Sequence, residues 1–385
     1  MGGLVEDTYV PYASSSSGGW PLLPATDGES LYVVAGRARA GGGQGNGLLR
    51  VSFPAPGAPL VHWRLGPETH LPAPGGDEGN LALALGREGS WEFQPGPVVL
   101  GDRVLALARR VDRSEEAGRI VLFALDRRDG RALWSREVTR AADLREDLAG
   151  LRSFGGKTPT PGQPLGLVPP SPGQGARVFV GSNVGLGNLY DVVDGRLLYS
   201  LRCRRRLPER EGWPGSRRPW VVEAGSGRHQ LTWPAFDSDF LYFLADAGSG
   251  ELFERPPLPI GSALGLISAD SVGLVAQVRD GLRSAIAGYS RGGSQEISIA
   301  LDRGERFAGT GLASRERVLF SSDRHLYLLD RERQNALLGS WPLELPRKPG
   351  TGPFGGAALG GGVYARDDQV VVVGSDTVWL FRVTR

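Results

Sequence analysis

The chain of 385 residues has one cysteine, Cys203, one methionine, and two lysines, Lys157 and Lys348. A single thiol excludes an internal disulfide and any thiolate-rich metal site. With so few lysines the positive charge is nearly all arginine, which stays protonated and favours planar, bidentate contacts. Lys and Arg total 44 against 42 Asp and Glu. That balance excludes a whole-molecule field that would gather nucleic acid or anionic lipid. Apolar runs long enough to span a bilayer as a helix are absent, and Met1 to Pro11 lacks the basic and apolar regions of a signal peptide. Histidine is scarce too: His62, His70, His229 and His325 are the full set. None has a second histidine or a cysteine at metal-ligand spacing, so no histidine-based metal centre is expected.

Glycine and proline, by contrast, are plentiful at 58 and 28 residues. They punctuate short apolar runs of strand length, rich in Val, Leu, Tyr and Phe. The clearest set runs from Pro97-Val98-Val99-Leu100 through Arg103 to Arg110 and Ile120 to Asp126, then turns at Gly130 into Ala132-Leu133-Trp134. Similar sets have inner strands near Leu31 to Ala35, Val178 to Gly181, Leu231 to Pro234, Gly273 to Val278, Val318 to Phe320 and Val370 to Val373. Such spacing is that of blades in a β-propeller. The expectation is one all-β domain over residues 1–385, with about seven four-stranded blades, six or eight also fitting the count. The last set holds three strands. Leu4 to Tyr12 has strand composition and is expected to complete it and close the ring.

Insertions near residues 66–93, 139–175 and 202–219 interrupt the repeats. The second includes a short helix expected within Arg140 to Leu151 and the proline-rich stretch Thr158 to Gly175. All three link the outer strand of one set to the inner strand of the next, which puts them on one face, the candidate binding surface. In and just after the third, Trp213, Arg217, Arg218 and Trp220 have the composition of a protein-docking hot spot. The arginines at 202 and 204 to 206 extend the patch, but Glu209 and Glu211 sit within it, and no nucleic acid partner is expected.

Other motifs have bland readings. Gly288-Tyr289-Ser290-Arg291-Gly292 matches a nucleophile elbow, with Asp302 or Asp323 and then His325 in hydrolase order. An elbow needs a helix after the serine, and Gln295 to Leu301 is strand-like, so a hairpin turn is expected. Asp237-Ser238-Asp239 reads as a turn, and the glycine run from Gly41 to Gly47 as a hairpin loop.

Ala124-Leu125-Asp126-Arg127-Arg128-Asp129-Gly130-Arg131-Ala132-Leu133-Trp134 resembles the quinoprotein-type (PQQ-like) propeller repeat, Ala-x-Asp-x-x-Thr-Gly-x-x-x-Trp, with Asp129 replacing the threonine. Asp191, Gly195 and Tyr199 repeat its spacing with tyrosine at the end, and Asp246 with Gly250 repeats two positions. In this motif Asp126 accepts turn N–H groups, Gly130 takes a positive φ, and Trp134 packs between blades. The resemblance implies a propeller of a superfamily containing both pyrroloquinoline quinone dehydrogenases and non-enzymatic docking platforms. The chain is closer to the platforms: the adjacent cysteines over the quinone have no counterpart, and no positions match the calcium and quinone ligands. No catalytic residue, cofactor or metal is therefore assigned. The expected role is a non-catalytic protein-binding or scaffolding module; the alternatives are an atypical quinone-dependent oxidoreductase with calcium, and a carbohydrate-binding propeller. The resemblance also implies an exported or envelope-associated bacterial protein.

Overall fold

A computed structural model describes residues 24–35, 47–54, 60–65, 90–94, 96–111, 118–141, 165–182, 185–203, 219–223, 228–234, 240–248, 251–252, 258–259, 263–269, 273–280, 283–290, 295–302, 305, 307–314, 316–322, 324–343, 362–366, 368–373 and 378–382. These residues contain strands and turns and no helix. They form seven antiparallel sheets in two compact units.

The first unit holds three sheets. Strands β1 (Ala25–Thr26), β2 (Ser30–Ala35), β3 (Gly47–Ser52) and β4 (Leu60–Leu65) lie in sequence order. In the second sheet the long β7 (Arg103–Val111) carries two short partners on one edge, β5 (Ser90–Phe93) and β6 (Val98–Leu100), and is followed by β8 (Gly118–Asp126) and β9 (Ala132–Ala141). The third comprises β10 (Gly166–Val168), β11 (Arg177–Gly181), β12 (Leu186–Asp191) and β13 (Leu197–Arg202).

The second unit holds four. Its first is β14 (Trp220–Glu223), β15 (His229–Pro234), β16 (Phe240–Asp246) and β17 (Glu251–Leu252), with β18 (Leu258–Pro259) also on β16. Next come β19 (Ala263–Ala269) to β22 (Gln295–Ala300) through β20 (Gly273–Asp280) and β21 (Arg283–Ser290), then β23 (Phe307–Ala313), β24 (Arg317–Ser322), β25 (His325–Asp330) and β26 (Ala336–Pro342). The last sheet has three strands, β27 (Gly362–Arg366), β28 (Gln369–Val373) and β29 (Val378–Arg382).

Several strand assignments shift. The runs read as inner strands are the second strands, because each sheet opens on a strand too short or too glycine-rich to show a period. Arg140 and Ala141, expected to start a helix, end β9; their ladder to Arg119 and Gly118 outweighs a helical spacing that needs residues further on. Ser90–Phe93 and Gly166–Val168, placed within insertions, are the first strands β5 and β10. The rest of the helix, most of the three insertions, Leu4 to Tyr12, Asp237-Ser238-Asp239 and the glycine run up to Asn46 lie outside the described residues.

Sheets stack because their middle strands are apolar on both faces. In β8, Val121, Phe123 and Leu125 join Phe93 of their own sheet and Tyr32, Leu48 and Trp63 of the flanking one, while Ile120, Leu122 and Ala124 join Trp134, Leu165, Val178 and Val180 on the other side. Each such side chain contributes about 1.5–3 kcal/mol. In the second unit Val275 and Ile286 meet Val318, Phe320 and Leu329, and Leu326 and Leu343 meet Val363, Val370 and Val372.

Each hairpin between third and fourth strands, except the last, carries a register shift one or two residues before the turn: at Arg50/Val51, Ala124/Leu125, Leu189/Tyr190, Leu244/Asp246, Gly288/Tyr289 and Leu328/Leu329. Such bulges increase twist and re-aim the side chains beyond them. The next fourth-strand residue is Trp63, Trp134, Tyr199 or Gly339 in four of these hairpins.

Trp63 and Trp134 form the same contact. The Trp134 ring lies on Gly195 of the adjacent sheet, whose φ is +70° and where a Cβ would sit 2.7 Å from a ring atom; the indole N–H donates to the Val192 carbonyl at 3.1 Å. Trp63 repeats this on Gly130 (φ +74°, 2.9 Å) with its N–H on the Arg127 carbonyl at 3.1 Å. Arginines bind the same turns: Arg50 donates to the Arg127 and Arg128 carbonyls, Arg103 to those of Val192 and Val193, and Arg136 to those of Asp194 and Gly195. The turns are preset by their aspartates, since Asp126 accepts the Arg128 N–H and Asp191 the Val193 N–H, both at 2.7 Å.

Trp134→Ala is expected to cost about 3–5 kcal/mol. Gly195→Ala is also destabilising, through the left-handed backbone and the ring. In the double variant the steric part disappears and about 1–2 kcal/mol of backbone cost remains beyond Trp134→Ala. Urea unfolding of the four proteins measures this; additivity within about 0.5 kcal/mol would show that the ring and the glycine do not interact.

Candidate functional site

Of the docking residues read from the sequence, Trp213, Arg217 and Arg218 lie outside the described residues. Trp220 is the first residue of β14, where the connection from β13 enters the sheet. Its side chain is half-buried opposite Thr232, and its indole N–H is buried with no acceptor among the described residues. The structure thus places Trp220 where the third insertion meets β14.

Of the repeat residues, all but Gly250 are described. Asp126, Gly130 and Trp134, and likewise Asp191 and Gly195, sit in the turns and the seam above; Tyr199 holds the seam position of β13, half-buried. Asp126 and Asp191 accept backbone N–H groups, the Trp134 indole donates to a backbone carbonyl, and the Gly195 carbonyl accepts from Arg136, so these contacts lie within the fold. Sequence reasoning missed Trp63, since no glycine stands four residues before it as Gly130 does before Trp134. It also missed a further turn, at Asp330, whose carboxylate accepts the Glu332 and Arg333 N–H groups while Gln334 and Asn335 take φ of 54° and 59° where the repeat has glycine.

The nucleophile-elbow serine is no elbow. Ser290 ends β21, and the chain returns as β22 in an antiparallel hairpin. His325, the histidine that follows in hydrolase order, lies instead against Glu305, which the sequence did not single out.

Glu305 is 1% exposed and sits between β22 and β23. Its Oε1 accepts from the Ser322 hydroxyl, the Tyr327 hydroxyl at 2.8 Å and His325 Nδ1 at 2.9 Å; Oε2 accepts the Asp302 N–H at 3.0 Å. Ser322 Oγ in turn accepts the N–H groups of Arg324 and His325, closing the β24–β25 turn. Burial alone would raise the Glu305 carboxyl, but the donors from Ser322, His325, Tyr327 and the Asp302 backbone outweigh it and hold it below the ordinary carboxylate range. Asp302, Glu305 and His325 bring their ligand atoms within 4.8 Å of one another. The set does not suit the calcium of a quinone enzyme, which takes six to eight oxygen ligands, because both Glu305 oxygens already serve four protein donors. The cluster is a buried pin tying the β22–β23 connection to the next hairpin.

Glu305→Leu is expected to cost about 3 kcal/mol, since it strands the buried Ser322 and Tyr327 hydroxyls and frees the half-buried His325 ring and the Asp302 N–H. The sign of the pH dependence follows from the lowered carboxyl: its contribution is present above the unfolded value near 4.3 and is lost as pH falls through the folded one. Wild type should therefore lose more stability than Glu305→Gln between pH 5 and pH 3 in denaturant titrations. Parallel pH profiles would refute the pin.

Among the described residues no helix is long and apolar enough to cross a membrane. No family model matches the sequence, and no curated protein matches it either. Solved structures do. BamB from Moraxella catarrhalis shares 13% identity at a TM-score of 0.53, over 93% of this chain and 83% of that one. Quinohemoprotein alcohol dehydrogenase from Comamonas testosteroni shares 11% at 0.54, over 94% of this chain and 64% of that one. BBS1N, solved in complex with ARL6DN, shares 10% at 0.50, over 97% and 95%. Together with the sheet order, these likenesses show that the chain has a β-propeller fold.

Proposed function

We propose that this propeller is a non-catalytic docking module for a protein partner. The observation that carries the reading is Trp220: a half-buried aromatic at the start of β14, next in sequence to the stretch that holds Trp213, Arg217 and Arg218. Tryptophan and arginine anchors of this kind dominate protein interfaces because they bury large area and satisfy specific acceptors at once. BBS1N, similar in fold, was solved with a bound protein. At Glu305 both carboxylate oxygens are spent on internal donors.

The test is affinity capture from the source organism with the purified chain and with Trp213→Ala/Trp220→Ala as baits, quantified by mass spectrometry. A specific protein is expected to fall at least tenfold on the variant while the unfolding midpoint stays unchanged. If no captured protein depends on these side chains, the placement is wrong. Calorimetry with pyrroloquinoline quinone and calcium supplies the counter-test, since stoichiometric, calcium-dependent binding would replace docking with redox chemistry.

A further inference from the structure

Three second strands open alike: Arg103-Val104-Leu105, Arg177-Val178-Phe179 and Arg317-Val318-Leu319. Each arginine stands opposite a turn aspartate, Asp126, Asp191 and Asp330 respectively. In all three the carbonyl just before the arginine accepts the N–H of the residue after the aspartate. Two of these cations have a carboxylate. Arg317 pairs with Asp330 at 2.9 Å, and Arg103 lies 3.4 Å from Asp102.

Arg177 does not. It is the most deeply buried of the three, at 4% exposure. Its Nη1 donates to Gln174 Oε1 at 2.5 Å and its Nη2 to Ser171 Oγ at 3.0 Å, both neutral acceptors. Nε is buried with no partner, and among the described residues no carboxylate lies within ion-pairing distance. Asp191, across the ladder, spends Oδ1 on the Val193 N–H. A buried guanidinium is ordinarily paired with an anion, because desolvation of an uncompensated charge is strongly unfavourable.

The two neutral acceptors belong to an exposed turn. Ser171 and Gln174 exchange backbone hydrogen bonds of 3.1 and 2.8 Å around Pro172 and Gly173, and Gly173 (φ +76°) faces open space. Ser171 is half-buried and Gln174 exposed. We propose that Arg177 and the Ser171–Gln174 turn form a site for a phosphate-class oxyanion. Its oxygens take the places of the Gln174 amide and the Ser171 hydroxyl on the guanidinium fork, for which planar, bidentate phosphate recognition is well suited. The anion has two sources. One is free phosphate. The other is a phosphoryl group on Ser171: Oγ forms the new bond to phosphorus, the bond to a departing nucleoside diphosphate breaks, and the hydroxyl proton leaves to a base of the transferring enzyme. The proposal is independent of the docking reading.

The experiment is calorimetric melting of the full chain in inorganic phosphate against chloride of equal ionic strength, and of the chain carrying phosphoserine at 171. A saturable rise in melting temperature of roughly 2–4 °C is expected from one source or the other, and its absence in Arg177→Met. Should that variant not fold, Gln174→Glu supplies the carboxylate from within; it should melt higher than wild type without phosphate and lose the response to it. A rise with phosphate alone identifies the free ion, and a rise with phosphoserine alone identifies the modification. No rise with either overturns the site. So does a phosphate rise that persists in Arg177→Met and Gln174→Glu, which would mark an adventitious ion only.

Discussion

An indole lying flat on a glycine turn is the contact on which the described architecture of the first unit depends. A sheet apolar on both faces must be covered on both, and hydrophobic burial alone does not fix how far one sheet slides over the next. The seam fixes it. Trp63 and Trp134 can approach Gly130 and Gly195 because no Cβ intervenes, and the N–H must then meet one carbonyl of that turn. Positive φ, the absent side chain and the aimed carbonyl are three demands on one turn, and its aspartate supplies the geometry for all of them. The bulge beside each turn belongs to the same device, since it carries the aromatic to the seam position.

Glu305 solves a different problem in the second unit. Connections between sheets have no ladder of their own. A single carboxylate with four donors fastens one of them, reaching a serine that closes a turn and a tyrosine stacked on Phe320 at 5.1 Å. Such a pin is strong only while every donor is met, which couples the connection to the hairpin it touches.

Strand content and the three best repeats were legible because Asp126, Gly130 and Trp134 stand at fixed offsets within long apolar runs. Short first strands were not, as three residues such as Gly166–Val168 define no period. Trp63 escaped notice for want of the turn glycine at the usual offset, and the Asp330 turn because Gln334 and Asn335 stand in for glycine. An Arg-Val-Leu or Arg-Val-Phe opening at 103, 177 and 317 could have been found by self-comparison, although its meaning depends on which aspartate lies across the ladder. Glu305 left no sequence signal at all: its partners lie 17 to 22 residues away, with Asp302 the exception, and burial decides its role.

The seam arginines and tryptophans bind main-chain oxygens. Carbonyls are present whatever side chains the turn carries, so the exposed Arg128 and Val193 are free to drift while the joints persist. A fold held in this way keeps its shape as its repeats lose their lettering. That is the condition of a chain whose structure finds counterparts at 10 to 13% identity while its sequence finds none.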